Sequence, residues 1–286
     1  MPVNRLKSLF VIWYPLAVIL IVLASAASMI IQGPSLAWAG ALLTALPFIG
    51  LYLRAVTSKT MARTSHSLPL LVLVTAAGGV LAAYGYWRGG FASHGALLAA
   101  AVGVAGFFLF DFWYSSFGRR VNDCLATGKI MPDFEARALD GSTVRASDLR
   151  GHPALFMFYR GNWCPFCMAQ VREITDRYRE LAQRGVTIAL ISPQPTELTQ
   201  RVAGIFDVPV KFWVDPDLEA ANTLGITSEY GVPAGMMANN YGKHTVMPTV
   251  VIVDAEGRIL YTDQTDNYRV RPEPDVFFRV LAANGL

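Results

Sequence analysis

The chain has 286 residues, of which 53% are hydrophobic and only 16% charged, against roughly 25% charged in an average soluble domain. Of the 24 Lys and Arg and the 21 Asp and Glu, residues 1–118 hold 6 and 1, while residues 119–286 hold 18 and 20. A membrane-like stretch therefore precedes a water-like one, which excludes an ordinary soluble globule; no basic face points to nucleic acid, and the aromatic-rich first part is not a disordered tail.

From Ser8 to Leu53 no residue is charged, and Gln32-Gly33-Pro34-Ser35 divides that run into Leu9–Ile31 and Leu36–Leu53. Leu68–Trp87 and Phe91–Phe110 follow, parted by Arg88-Gly89-Gly90. Each run approaches the ~20 helical residues that cover a hydrocarbon core of roughly 30 Å. None shows the amphipathic period of a soluble helix. Four membrane spans are therefore expected within residues 1–118. Lys and Arg in the short loops set their orientation. Arg5, Lys7, Arg54, Lys59, Arg63, Arg119, Arg120 and Lys129 fall on one side and Arg88 on the other, which places both termini in the cytoplasm. Asp111, beside Trp113 and Tyr114 at the inner end of the fourth span, is expected to snorkel or cap. Gly78, Gly79, Ala99, Gly103 and Gly106 are expected to let helices approach closely.

Residues 119–130 read as a juxtamembrane linker and residues 131–286 as a domain large enough for its own core. Asp133–Leu139 alternates at period two, Asp140-Gly141 signals a hairpin, and Thr143–Ala146 returns as a strand. Ala154–Tyr159 is an apolar strand. One helix is expected over Cys164–Arg184, with Val171, Ile174, Tyr178 and Leu181 at helical spacing and Gly185 as its stop. Strands over Val186–Ile191 and Val210–Val214 then alternate with helices over Pro195–Phe206 and Asp217–Leu224, the latter capped by Asp215 or Asp217. Ile226–Tyr241 is irregular. Thr249–Val253 and Arg258–Thr262 pair around Ala255-Glu256-Gly257, and a helix over Pro274–Ala283 ends the chain. The order predicts an α/β domain with a mixed central sheet.

Only three cysteines occur, Cys124, Cys164 and Cys167, too few for a disulfide-stapled scaffold. The segment Trp163-Cys164-Pro165-Phe166-Cys167 leaves a buried strand and opens a helix. A thiol at a helix N-terminus meets unpaired N–H groups and the positive end of the dipole, which favour thiolate. Cys164 is the expected nucleophile. Cys167, within one turn, is the expected resolving cysteine. A zinc site built with Cys124, His152 or His244 lacks a second ligand cluster, so no metal and no other cofactor is expected. Arg160 is a candidate for steering anions or favouring the thiolate, and Trp163 for touching substrate. Tyr230–Tyr241, with Met236 and Met237, could line a groove.

Met131-Pro132-Asp133-Phe134, Leu139-Asp140-Gly141, Asp148-Leu149-Arg150-Gly151 and Phe158-Tyr159-Arg160-Gly161-Asn162-Trp163-Cys164-Pro165-Phe166-Cys167 resemble the redoxin branch of thioredoxin-fold proteins. The resemblance is to peroxiredoxin-like proteins of the alkyl hydroperoxide reductase and thiol-specific antioxidant type, from about Met131 to the C-terminus. It implies a thioredoxin fold in which Cys164 attacks a disulfide or a peroxide. Met247-Pro248-Thr249 resembles that fold's cis-proline, implying that Pro248 shapes the substrate groove beside Trp163, Pro165 and Arg160. Three positions differ. Peroxiredoxins carry Pro and Thr or Ser where this chain has Met157 and Gly161, and thioredoxins place a buried acid where it has Phe158.

The expected function is membrane-anchored thiol–disulfide exchange through Cys164 and Cys167, with a peroxiredoxin-like thiol peroxidase as the alternative. A non-enzymatic redox sensor coupled to a membrane partner is the third reading. Expected partners are a protein disulfide or a hydroperoxide, a thiol reductant and the lipid bilayer. The redoxin domain is expected in the cytoplasm, with the outer face of the membrane as the alternative.

Overall fold

The computed structural model describes all residues but Met1, Lys59 and Asn240, and the side chains other than those of Pro2, Phe91, Ala92, Met237, Ala238 and Asn239. Lys59 in the loop-charge count and the Met237 side chain in the expected groove therefore lie outside the described residues. The chain forms two compact units, one from Leu9–Ser58 and Ser65–Ser116, the other from residues 2–8, 60–64 and 117–286.

The first unit is built on α1 (Pro2–Gln32) from Leu9 onward, α2 (Leu36–Thr57), α3 (Pro69–Gly89) and α4 (His94–Phe108), the last continued by a π-helical turn over Leu109–Tyr114. Among the described residues these are four helices long and apolar enough to cross a membrane. Ser35 opens α2 by accepting from the Trp38 N–H at 3.5 Å. Asp111 is buried, and its carboxylate accepts from the Leu68 N–H at 3.3 Å, so it caps the start of α3. Capping satisfies a helix N–H that has no partner within its own helix. A Cβ on Gly78 would lie 2.8 Å from the Thr44 nitrogen and 2.9 Å from the Gly40 oxygen, so α2 and α3 touch backbone to backbone there. A Cβ on Gly103 would overlap the Thr44 hydroxyl, and one on Gly106 the Tyr14 ring.

The second unit contains β1 (Glu135–Ala138), β2 (Thr143–Arg145), β3 (Ala154–Phe158), α5 (Pro165–Asp176), α6 (Tyr178–Gln183), β4 (Thr187–Ser192), α7 (Thr196–Ala203), β5 (Lys211–Val214) and α8 (Glu219–Thr223). β6 (Thr227–Ser228), β7 (Thr245–Val246), β8 (Thr249–Val253), β9 (Ile259–Asp263) and α9 (Pro274–Ala283) complete it. Seven strands form one mixed sheet in the order β2-β1-β5-β4-β3-β8-β9. β3, β4 and β5 run parallel, and the other pairs are antiparallel. This is a thioredoxin-like α/β domain. β3 lies between β4 and β8 and is buried along its whole length, which explains its unbroken apolar sequence Ala-Leu-Phe-Met-Phe. Phe134, Phe156, Phe158 and Trp213 join on one side of it in a single core cluster.

Three expectations change. The helix expected over Cys164–Arg184 breaks at Arg177, whose ψ of 9° interrupts the ladder. Just before the break, the Thr175 hydroxyl turns back to donate to the Arg172 carbonyl at 2.9 Å. The stretch read as irregular opens with β6, which pairs with β7 just beyond its end in a two-stranded ribbon, each strand too short for any periodicity to register. Finally, there is no cis peptide bond among the described residues, so Met247–Pro248 is trans. The Met247 N–H donates to the Ile226 carbonyl at 2.7 Å, and the Pro248 carbonyl accepts from Arg119 Nη1 at 3.1 Å, which holds the trans path into β8.

Candidate active site

Phe158, the last residue of β3, pairs with Ile191 of β4 and Thr249 of β8. Residues 159–164 thus leave the sheet at the carboxyl end of its parallel strands, where open α/β sheets form clefts. Gln194 ties this loop down. It is buried, accepts from the Asn162 N–H at 2.7 Å and donates to the Thr199 hydroxyl at 3.1 Å. Gly161 sits at φ +142°, and a Cβ there would lie 2.7 Å from Trp163 Nε1, so the turn requires glycine. The Cys164 N–H closes the turn onto the Gly161 carbonyl at 3.2 Å.

Cys164 is the N-cap of α5, with Pro165 as the first helical residue. Proline's fixed φ suits that position, and its missing N–H costs the helix no internal bond. Cys164 is 2% exposed and Cys167 fully buried, and both are free thiols. Two buried arginines accompany them. The Arg160 guanidinium lies 4.6 Å from the centre of the Trp163 ring, with Phe117 at 5.7 Å and Tyr268 at 5.8 Å, and it donates to the Gly231 carbonyl. Arg271 donates through Nη2 to Cys167 Sγ at 3.7 Å. Neither arginine forms an ion pair with a carboxylate among the described residues. Their charge is left for the sulfurs.

The two thiols respond in opposite directions. Burial works against a thiolate at Cys164, but the hydrogen bond from the Cys167 thiol, the charges of Arg160 and Arg271 and the Cys167 backbone N–H outweigh it, lowering the pKa to about 6. Cys167 is pushed well up, first by burial and then by its hydrogen bond to Cys164 and that sulfur's charge, with Arg271 opposing. The buried Tyr159 hydroxyl is also pushed up, chiefly by burial.

Of the residues singled out from the sequence, Arg160, Trp163, Cys164, Pro165 and Cys167 share one loop and helix start. Pro248 is buried just ahead of Thr249, the partner of Phe158, and the Thr245 hydroxyl donates to the Arg160 carbonyl at 2.8 Å. Tyr241 donates from its hydroxyl to Asn162 Oδ1, whereas Tyr230 turns its N–H to His244 Nδ1 at 3.1 Å. Cys124 is exposed on a separate short turn and is not disulfide-bonded. Sequence reasoning missed Gln194 and Arg271. Gln194 carries a positional signal, since it follows the carboxyl end of β4. Arg271 carries none, because an arginine in a loop far along the chain looks like any solvated one.

The AhpC/TSA family profile matches residues 127–262. Thiol-disulfide oxidoreductase ResA of Oceanobacillus iheyensis is 35% identical over 81 residues, which are 27% of this chain and 42% of that protein. Peroxiredoxin Bcp of Bacillus subtilis is 23% identical over 135 residues, 46% of this chain and 81% of that protein. Among solved structures, peroxidoxin BcpB of Mycobacterium tuberculosis aligns with a TM-score of 0.47 at 20% identity, over 56% of this chain and 97% of that one. Residues 127–262 are thus similar to AhpC/TSA redoxins, and four helices long and apolar enough to cross a membrane precede them.

Proposed function

We propose that the protein is a membrane-anchored thiol–disulfide oxidoreductase that works through Cys164 and Cys167. The observation that carries this reading is the contrast between the two sulfurs, one acidified at a helix start and the other kept protonated one turn on. At neutral pH, a thiol with a pKa of about 6 holds roughly ten thiolates for each thiol. The Cys164 thiolate attacks one sulfur of a substrate disulfide. A bond forms between Cys164 and that sulfur, and the other leaves as a thiolate. Cys167 then attacks Cys164 Sγ, releasing the second substrate thiol and leaving an intramolecular disulfide, which an external thiol reductant reopens. Relatives named as thiol–disulfide oxidoreductases support this reading. In an insulin-reduction assay on the full chain, Cys164→Ser abolishes turnover and Cys167→Ser accumulates a mixed disulfide; turnover that survives Cys164→Ser overturns the reading.

One observation favours a second reading. Cys164 is only 2% exposed, and a hydroperoxide reaches such a sulfur more readily than a folded protein's disulfide does. In this case Cys164 becomes a sulfenic acid as the peroxide is reduced to alcohol or water, and Cys167 condenses with it to a disulfide and a second water. Cys164-dependent peroxide consumption far faster than that of an ordinary thiol selects this reaction. The loop charges favour a cytoplasmic redoxin domain, with the lipid bilayer as its anchor.

A further inference from the structure

The resolving step requires a thiolate at Cys167, and the surroundings of that sulfur oppose one. Phe158, the residue at the position where a buried acid would serve thioredoxins as proton acceptor, has none to offer. The charged and titratable groups facing the sulfur are Tyr159 from the end of β3, Arg160 and Cys164 from the loop, and Arg271 from the segment between β9 and α9. Of these, Arg271 places a donor on Cys167 Sγ itself. It is 6% exposed, and its Nε has no hydrogen-bond partner. A buried guanidinium without a carboxylate is costly unless an anion forms beside it.

We infer that Arg271 is the catalytic residue of the second half-reaction, holding Cys167 as a thiolate while it attacks the mixed disulfide. The inference rests on the exchange reading above. Once Cys164 is bonded to substrate sulfur, it no longer carries the negative charge that opposes a second thiolate. Burial is then left against the Arg271 charge and a hydrogen bond from the Arg160 backbone. The Cys167 proton passes to solvent, the Cys167–Cys164 bond forms, and the bond from Cys164 to substrate breaks with its electron pair on the departing sulfur. Arg271 lies beyond the segment that matches the family profile. Its neighbours hold it in place. The Arg269 carbonyl accepts from the Thr64 N–H at 2.9 Å, Arg269 Nη1 donates to the Thr64 hydroxyl at 2.8 Å, and Arg63 Nη2 donates to the Pro272 carbonyl at 3.3 Å.

The test uses the full chain carrying Cys164→Ser, which removes the first sulfur as the mixed disulfide does. The pH dependence of Cys167 alkylation by iodoacetamide is read by mass spectrometry on the Cys167 peptide, so that Cys124 does not contribute. Adding Arg271→Met raises the midpoint by at least one pH unit, a tenfold or greater loss of thiolate at neutral pH, and Arg271→Lys restores more than half of the shift. An Arg271→Met midpoint equal to that of the parent overturns the inference. Should methionine prevent folding, Arg271→Gln keeps donors and drops the charge, and the same comparison decides. Because the readout needs no turnover, a chain inactive on every disulfide that still shows the shift removes the exchange reading and leaves the effect of Arg271 on Cys167 standing.

Discussion

Cys164 and Cys167 bear the same functional group three residues apart, and their surroundings make one acidic and the other not. Two consequences are measurable at single residues. The rate at which iodoacetamide alkylates Cys164 rises with a midpoint near pH 6, and Cys167→Ala moves that midpoint up, because it deletes the thiol donor that favours the Cys164 thiolate. A midpoint unmoved by Cys167→Ala would show that the arginines alone acidify the sulfur. Gly161→Ala forces a Cβ to within 2.7 Å of the Trp163 indole nitrogen at φ +142°, so it costs roughly 1–3 kcal/mol, seen as a lowered thermal midpoint with slowed insulin reduction. At this scale the sequence was informative wherever chemistry was local. The Cys-x-x-Cys pair, Pro165, Trp163 and Arg160 lie within eight residues and could be read together. Arg271 could not, since its meaning comes from a fold that brings distant loops to one sulfur.

Among the elements, the strands were the most legible, because β3, β4 and β8 are apolar runs whose burial on both faces leaves little room for polar residues. The boundaries of α5 and α6 were not, because Val171, Ile174 and Leu181 keep helical spacing through the break at Arg177. The segment over residues 60–64 is the least expected element. It separates α2 from α3, yet Arg63 forms an ion pair with Glu173 of α5, the two side chains being 25% and 23% exposed. Burial raises the Glu173 pKa, with Arg63 opposing. Arg63→Ala therefore leaves a half-buried carboxylate unpaired and costs roughly 1–2 kcal/mol at neutral pH. A carboxyl whose folded pKa is raised binds its proton more tightly in the folded state, so its penalty is present at high pH and shrinks as pH falls through that raised value. The stability difference between Arg63→Ala and the parent is accordingly larger at pH 7 than at pH 5; equal differences in denaturant melts at the two values would refute the argument.

For the molecule as a whole, the charge split near Gly118 announces two physical environments before any element is assigned, and the four apolar helices with the mixed sheet after them follow the same division. Sidedness rests on the loop charges. With the redoxin domain in the cytoplasm, a membrane-impermeant maleimide leaves the exposed Cys124 unmodified in intact cells and labels it after permeabilisation; labelling of intact cells would place the domain outside. The compact unit that holds Cys164 and Cys167 is assembled from three separated stretches, 2–8, 60–64 and 117–286, with the Ser8 hydroxyl donating to the Val232 carbonyl at 2.7 Å. A fragment cut within residues 119–130 therefore lacks two of the stretches that form this unit. It lacks Arg63 and Thr64, which hold the chain on either side of Arg271, so the Arg271–Cys167 contact is to be measured on the full chain. During synthesis the same arrangement makes Arg63 and Thr64 wait for partners that emerge 209 and 205 residues later.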